Sequence, residues 1–141
     1  MVDNLTLKSE LPDFIISDGL CAGRTLYDLY EWAHKLWDWH DSLFKYARKI
    51  GITMFSSPFE STAVDMLQDL NAPAYKIASF EVIDLALKKY VANTGKPMII
   101  STGMADCDEI GEAVEAAREG GCKELALLHC VSGYPAPSED Y

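Results

Sequence analysis

Short apolar runs alternate with amphipathic stretches from residue 52 to the end of the chain. The runs start at residues 52, 74, 97 and 124, and each of the first three is followed by apolar residues at helical spacing. Each run is apolar on both faces, as in parallel strands that are buried between two layers. The pattern predicts four parallel strands in sequential order with helices on one face. The predicted strands are residues 52–55, 74–78, 97–101 and 124–129.

The amphipathic stretches carry recognisable helix signals. The last one opens with Asp106 and Glu109, a pair at the spacing of a capping box. The third is expected to start near Asp84 and to bury Leu87, Tyr90 and Val91. Each stretch ends at a residue that stops helices: Gly51, Asn71, Gly95 and Gly120.

The repeat indicates an α/β fold, a partial TIM (β/α)8 barrel of about four βα units. A complete barrel typically needs about 250 residues, whereas this chain has 141. Residues 1–40 are interpreted as an irregular, aromatic-rich lead-in, and residues 41–141 as the βα repeats. The chain is therefore expected to supply part of a barrel.

Composition and charge exclude several classes of function. The net charge is −10, and no cluster of basic residues suggests nucleic-acid binding. No apolar stretch reaches the ~20 residues of a membrane span, and no signal-peptide pattern opens the chain. The four cysteines lack CxxC spacing, which favours reduced thiols in a cytoplasmic protein.

Lys76 is the strongest candidate for chemistry. Period-two alternation in the second predicted strand places Ala74, Lys76 and Ala78 on the same side. A buried lysine is costly unless it is paired, so Lys76 could hold a phosphate or carboxylate, or form the Schiff base of an aldolase. Alternatively, the strand lies at an edge and Lys76 extends to water. The position rule for barrel active sites favours a functional role.

Hydroxyl groups follow the predicted strands. Ser57, Ser79 and Ser101 each lie where a strand ends, and Glu81 follows Ser79 closely. For any one of these sites, ordinary turn and capping chemistry is the commoner explanation. Together with a lysine at an equivalent strand end, they favour a phosphorylated or carboxylated ligand.

His129 is a weaker candidate, because a lone histidine at a strand end is about as often structural. The three histidines are His34, His40 and His129, and their spacing matches no metal-ligand pattern. The sequence therefore predicts no metal site within this chain.

Five motifs together resemble the sialic acid synthase family, the phosphoenolpyruvate-dependent nonulosonate synthases. Within that family, Phe80 and the segment 23–30 are more similar to the pseudaminic acid synthase branch than to the N-acetylneuraminate branch. The motifs are Trp37–His40, Phe55–Phe59, Tyr75–Glu81, Gly95–Met104 and His129–Pro135.

The resemblance implies that the four predicted strands are strands 3–6 of the family barrel, and that the small C-terminal antifreeze-like domain is absent here. It implies catalytic roles for Lys76 and Glu81, with Glu81 and Tyr134 contacting the sugar. It implies that phosphoenolpyruvate is held by Ser57, Lys76, Ser79, Ser101 and Ser132.

The implied reaction joins phosphoenolpyruvate to the open-chain aldehyde of a 2,4-diacetamido-trideoxyhexose. C3 of the enol attacks the aldehyde, water adds at C2, and phosphate leaves with cleavage of a C–O bond. The family uses a divalent metal, Mn²⁺ or Mg²⁺, through two histidines on later strands, which this chain lacks. We therefore expect the chain alone to be inactive. The resemblance also implies that full-length members of the family form homodimers.

Two other readings stay open beside this one. The first is a Schiff-base barrel aldolase that uses Lys76. The second is a non-catalytic half-barrel that pairs its exposed strand edges with another copy or a partner. The chain also departs from the family pattern at Cys21, Leu36 and Lys88. Lys88 replaces an expected aliphatic residue, which a helix tolerates only where that face is solvated.

Overall fold

The computed structural model describes residues 6–34, 36–131 and 138–140. Its internal contacts divide the chain into two units, residues 1–43 and residues 44–141. The helices are α1 Leu26–Ala33, α2 Trp37–Lys49, α3 Ser61–Asp69, α4 Leu85–Ala92 and α5 Cys107–Glu119, and the strands are β1 Tyr75–Ile77, β2 Met98–Ser101 and β3 Leu125–Leu128.

The first unit contains a helix that the sequence did not predict. Helix α1 is capped by Thr25, whose Oγ1 accepts a hydrogen bond from the Asp28 backbone N–H at 3.1 Å. An antiparallel bridge joins Ile15 to Thr25 just before the helix. The aromatic residues of this segment hide its helical periodicity, but the Thr25 cap followed by Asp28 is a valid start signal. The segment predicted to be irregular thus contains a helix and two short 3-10 helices.

The second unit is built on a parallel three-stranded sheet. The strand order is β1–β2–β3, with Lys76 paired to Ile99 and Ile99 paired to Ala126. Parallel order and sequential neighbours agree with the predicted repeat. The fold is therefore α/β, and the sheet corresponds to part of a parallel barrel.

The first predicted strand, residues 52–55, does not form. Only one parallel bridge remains in this region, between Ser56 and Tyr75, and the Lys76 backbone N–H donates to the Ser56 carbonyl at 3.2 Å. Ile52 and Phe55 are largely exposed. With a single pairing to β1, the segment lacks the successive backbone bonds that make a ladder. Its direction is nevertheless the one predicted.

The core lies between the sheet and its helices. On β1 and β2, one face of the sheet is buried, which matches the alternation of these two strands. Burying an Ile or Leu side chain contributes about 1.5–3 kcal/mol, so this face holds the unit together. The core side chains from the sheet are Tyr75, Ile77, Met98 and Ile100, and those from the helices include Val64, Leu67, Val91, Ala113 and Ala117.

The helix signals agree with the structure, with one exception. The capping box at α5 is complete, with Asp106 accepting from the Glu109 N–H at 2.8 Å and Glu109 accepting from the Asp106 N–H at 3.0 Å. Leu87 and Val91 are buried on α4, as predicted. Tyr90 is not buried, because its hydroxyl donates to Asp65 Oδ1 at 2.7 Å on the surface.

The far edge of the sheet is open within the described residues. β3 pairs with β2 alone, and the side chains of Leu127 and Leu128 are 46% and 43% exposed. None of the described helices is both long and apolar enough to cross a membrane.

Candidate functional site

The carboxyl ends of the three strands meet at one edge of the sheet, because the strands are parallel and in order. Ser79 follows β1, Ser101 ends β2, and His129 follows β3. Ser57 follows Ser56, which bridges to Tyr75 at the start of β1, so Ser57 lies level with Lys76. The topology therefore aligns Ser79, Ser101 and His129 along one edge, with Ser57 beside the middle of β1.

Lys76 belongs to the face of the sheet opposite the helices. Its neighbours in the strand, Tyr75 and Ile77, are fully buried in the core, whereas Lys76 is half-buried. Its register partners Ile99 and Ala126 share its face. No described residue accepts a hydrogen bond from its ammonium group. Within the described part of the chain, Lys76 thus presents an ammonium group without a hydrogen-bond partner on the face that would form a barrel interior.

Two buried polar atoms in the described part of the chain have no hydrogen-bond partner, and both belong to predicted site residues. They are Glu81 Oε2 and the hydroxyl oxygen of Ser101, whose residue is 2% exposed. Buried polar atoms are almost always paired, since an unmet hydrogen bond costs about 1–3 kcal/mol. Unpaired buried atoms of this kind are typical of a ligand-binding site without its ligand.

Glu81 lies in the 3-10 helix Ser79–Ile83, here called the Glu81 loop, which connects β1 to α4. Burial raises the pKa of its carboxyl, because removal from water disfavours the charged form. Positive charges on Lys76 and Lys88 oppose that rise, and Asp84 adds to it. A carboxyl with a raised pKa is suited to proton transfer or to accepting bonds from a neutral ligand.

The turn after β2 is held in a fixed shape. Thr102 Oγ1 donates to the Leu128 carbonyl at 3.1 Å, which ties the end of β2 to β3 and occupies this hydroxyl. Met104 has a φ of 71°, a left-handed backbone conformation that residues other than glycine seldom adopt. Backbone strain of this kind clusters at functional sites. A cavity of about 210 Å³ lies between this turn and the Glu81 loop.

Lys88 differs from the sequence-based expectation that a helix tolerates a lysine at this position only where its face is solvated. It is fully buried on α4, so the helix face that carries it is dry. Its ammonium donates to the backbone carbonyls of Glu81, at 3.2 Å, and Val82, which compensates for the loss of water. Burial nevertheless lowers the pKa of Lys88, although Asp84 and Glu81 oppose the change.

The remaining predicted site residues differ in exposure, and two of them lie outside the described residues. Ser57, beside β1, and Ser79, after β1, are half-buried. Ser132 and Tyr134 lie outside the described residues. His129 is exposed after β3.

The described residues do not fit a divalent metal ion. No three His, Cys, Asp or Glu side chains in the described ranges cluster in a way that could hold one. Glu81 and His129 are the only such groups among the predicted site residues in the described ranges. Two ligands are fewer than protein metal sites normally use.

Comparisons with known proteins identify relatives of this chain. Pseudaminic acid synthase of Helicobacter pylori is 44% identical over 136 residues, which are 96% of this chain and 40% of that protein. Pseudaminic acid synthase of Campylobacter jejuni is 43% identical over 138 residues, covering 98% of this chain and 40% of that protein. The chain thus spans about two fifths of the length of these relatives.

A solved structure has a similar fold. N-acetylneuraminic acid synthetase of Leptospira borgpetersenii, crystallised with citrate, matches with a TM-score of 0.76 and 30% identity, covering 81% of this chain and 40% of that one. The model of the NeuB family matches residues 2–141. The relatives named as synthases are enzymes, and the chain belongs to the NeuB family.

Proposed function

We propose that this chain carries the anion-binding strands of a nonulosonic acid synthase of the pseudaminic acid synthase type. The whole enzyme would condense phosphoenolpyruvate with the aldehyde of an acetamido sugar and release phosphate. The observation that carries the proposal is that, among the described residues, the ammonium of Lys76 on β1 and the buried side-chain atoms of Glu81 and Ser101 at the nearby strand ends all lack a hydrogen-bond partner.

The anionic substrate is assigned to the hydroxyls and the cation of the strand ends. Lys76 Nζ would bind the phosphate or carboxylate oxygens, because a charge-assisted bond is stronger than a neutral one. Ser57, Ser79 and Ser101 would donate to the remaining oxygens. The buried hydroxyl of Ser101 supports this role, since an anionic acceptor would supply its missing hydrogen bond. Ser132 is proposed as a further contact on the resemblance alone.

The sugar is assigned to Glu81, and on the resemblance also to Tyr134. The unpartnered Oε2 of Glu81 can accept a hydrogen bond from an amide N–H or a hydroxyl of the sugar. The raised pKa of this carboxyl also suits it to exchange a proton with the reacting sugar. These two properties support a catalytic position for Glu81.

The reaction balances without a redox partner. C3 of phosphoenolpyruvate forms a bond to the aldehyde carbon, water adds at C2, and inorganic phosphate leaves with the C2–O bond electrons. The family's divalent Mn²⁺ or Mg²⁺ would polarise the aldehyde oxygen when bound. Because the described residues do not fit that ion, this chain is assigned the anion and sugar contacts alone.

Phosphoenolpyruvate binding to the purified chain tests the proposal by calorimetry. We expect weak, saturable binding that Lys76→Met reduces at least about tenfold, the loss of one charged hydrogen bond. Lys123→Met removes an exposed lysine at the start of the β3 region and is the matched control. Equal affinities for the two variants would overturn the anion-site assignment.

Two further assays separate the remaining alternatives. Borohydride trapping with a keto substrate should give no adduct at Lys76; a trapped adduct would favour the Schiff-base aldolase. Phosphate release should stay at the level of the no-protein control when the chain is mixed with phosphoenolpyruvate, Mn²⁺ and the diacetamido sugar. Sustained turnover would show that these strands assemble a complete site.

A further inference from the structure

Lys88 is a fully buried cation to which the proposed reaction gives no direct role. Its residue is 0% exposed, and the two charged groups that act on it are Asp84 and Glu81. A buried ammonium is retained only where its charge and its donors are met. What meets them here is therefore informative about the neighbouring site.

Two of the three N–H donors of Lys88 are met by one short segment. Nζ donates to the consecutive carbonyls of Glu81, at 3.2 Å, and Val82. These carbonyls belong to the Glu81 loop, whereas Lys88 belongs to α4, one turn beyond its N-cap residue Asp84. A single side chain thus joins the helix to the backbone from which the Glu81 carboxyl projects.

We infer that Lys88 is a positioning residue that holds the Glu81 loop against α4 and so fixes Glu81 at the strand edge. The inference rests on the proposed function for the role of Glu81, but the contact itself does not. The loop is also held by the burial of Val82 in the core and by short-range backbone bonds, among them the Glu81 N–H to Ala78 O at 3.1 Å and the Asp84 N–H to Glu81 O at 3.0 Å. Short 3-10 helices have weak hydrogen-bond geometry, so loss of the Lys88 bonds should favour local opening of this loop.

Lys88→Met tests the inference, because methionine has a similar length and no donors. Hydrogen exchange by mass spectrometry should show at least a tenfold faster exchange in the peptide 79–84, with residues 107–119 unchanged. Lys89→Met is the matched control: Lys89 is the next residue on α4 and forms an exposed ion pair with Glu119 at 2.8 Å. Lys88→Arg keeps donors at this position and should restore part of the protection. Equal exchange of peptide 79–84 in Lys88→Met and the unmodified chain would overturn the inference.

A measurement on the unmodified chain covers the case in which Lys88→Met does not fold. With ¹⁵N-labelled lysine, the Nζ signal of Lys88 should exchange with water at least tenfold more slowly than those of exposed lysines. Exchange at the same rate as exposed lysines would overturn the inference that Lys88 holds the Glu81 loop.

Ligand binding then distinguishes this inference from the proposed function. Lys88→Met should weaken binding of the 2,4-diacetamido-trideoxyhexose at least about fivefold and leave phosphoenolpyruvate binding within twofold, since Glu81 and Lys76 serve different substrates. Equal weakening of both would overturn the specific positioning of Glu81. If the Glu81 loop opens in Lys88→Met as expected but the unmodified chain binds neither compound, the proposed function fails. The inference that Lys88 holds the Glu81 loop against α4 is then still supported.

Discussion

Glu81 and Ser101 should lower the stability of the ligand-free chain. Each has a buried polar atom without a partner, and such an atom costs free energy in the folded state that it does not cost in the unfolded chain. Residues of this kind are typically kept for function at the expense of stability. Their replacement should therefore improve folding while it removes binding.

Glu81→Gln provides a pH-dependent test of this cost. Because burial raises the pKa of Glu81 above its ordinary value of 4.5, the folded chain binds more protons than the unfolded chain between 4.5 and the raised value. The contribution of Glu81 to stability is thus fully present below 4.5 and falls as the pH rises through the raised pKa. Glutamine does not titrate, so the variant should be more stable by about 1 kcal/mol near neutral pH.

Urea denaturation at a series of pH values measures this difference. The gain of Glu81→Gln should shrink as the pH falls towards 4.5. Glu112→Gln, an exposed position on α5, should show no such trend. A gain that stays constant with pH, or that grows in acid, would contradict the raised pKa as its cause.

The contrast between Lys76 and Lys88 shows how far single residues can be predicted. Period-two alternation identifies the face of Lys76, because neighbouring strand residues point to opposite sides. The burial of Lys88 depends on whether the Glu81 loop covers that part of α4, and no local sequence pattern predicts whether the loop does so. A lysine on a helix most often lies at the surface, so the dry environment of Lys88 could not be predicted.

At the level of the elements, α4 and α5 pack closely at one glycine. A Cβ added at Gly120 would lie 2.6 Å from Ala92 Cβ and 3.1 Å from the backbone Cα of Lys89. The obstacles are a helix backbone and a short side chain that cannot move away. Gly120 thus serves two functions, as the end of α5 and as the contact point with α4.

Gly120→Ala should destabilise the chain by about 1–3 kcal/mol, the usual cost of overpacking. Gly111→Ala is its control, since Gly111 lies within α5 with open space around its Cα. That change should stabilise the chain by about 0.5–1 kcal/mol, because alanine is the better helix former. Thermal unfolding of both variants checks the pair. A neutral Gly120→Ala would mean that the two helices are not in close contact.

Helix boundaries were more predictable than the first strand. Caps and stops act within a few residues, so Asp106, Glu109 and Gly51 could be recognised from their spacing alone. A strand also needs a ladder of successive pairings, and this region has a single bridge among the described residues, from Ser56 to Tyr75. The sequence therefore predicted the direction of this segment but not its lack of a ladder.

For the molecule as a whole, the dominant feature is the uncovered strand β3. It is apolar along its length, yet Leu127 and Leu128 are almost half exposed, and no described strand pairs with its outer edge. Parallel strands of this composition are normally buried on both faces. An apolar strand with free backbone donors and acceptors is a template for pairing with another chain.

We therefore predict that the purified chain associates with a second copy through β3. Sedimentation velocity should show a rise in average mass with increasing concentration. Leu127→Lys should suppress that rise, because a charge on an edge strand opposes pairing. Ile50→Lys makes the same change at a side chain of similar exposure, 48%, at the end of α2, and should leave association unchanged. Equal effects of both variants would indicate unspecific adhesion, and a monomer at all concentrations would show that the β3 edge is protected in solution.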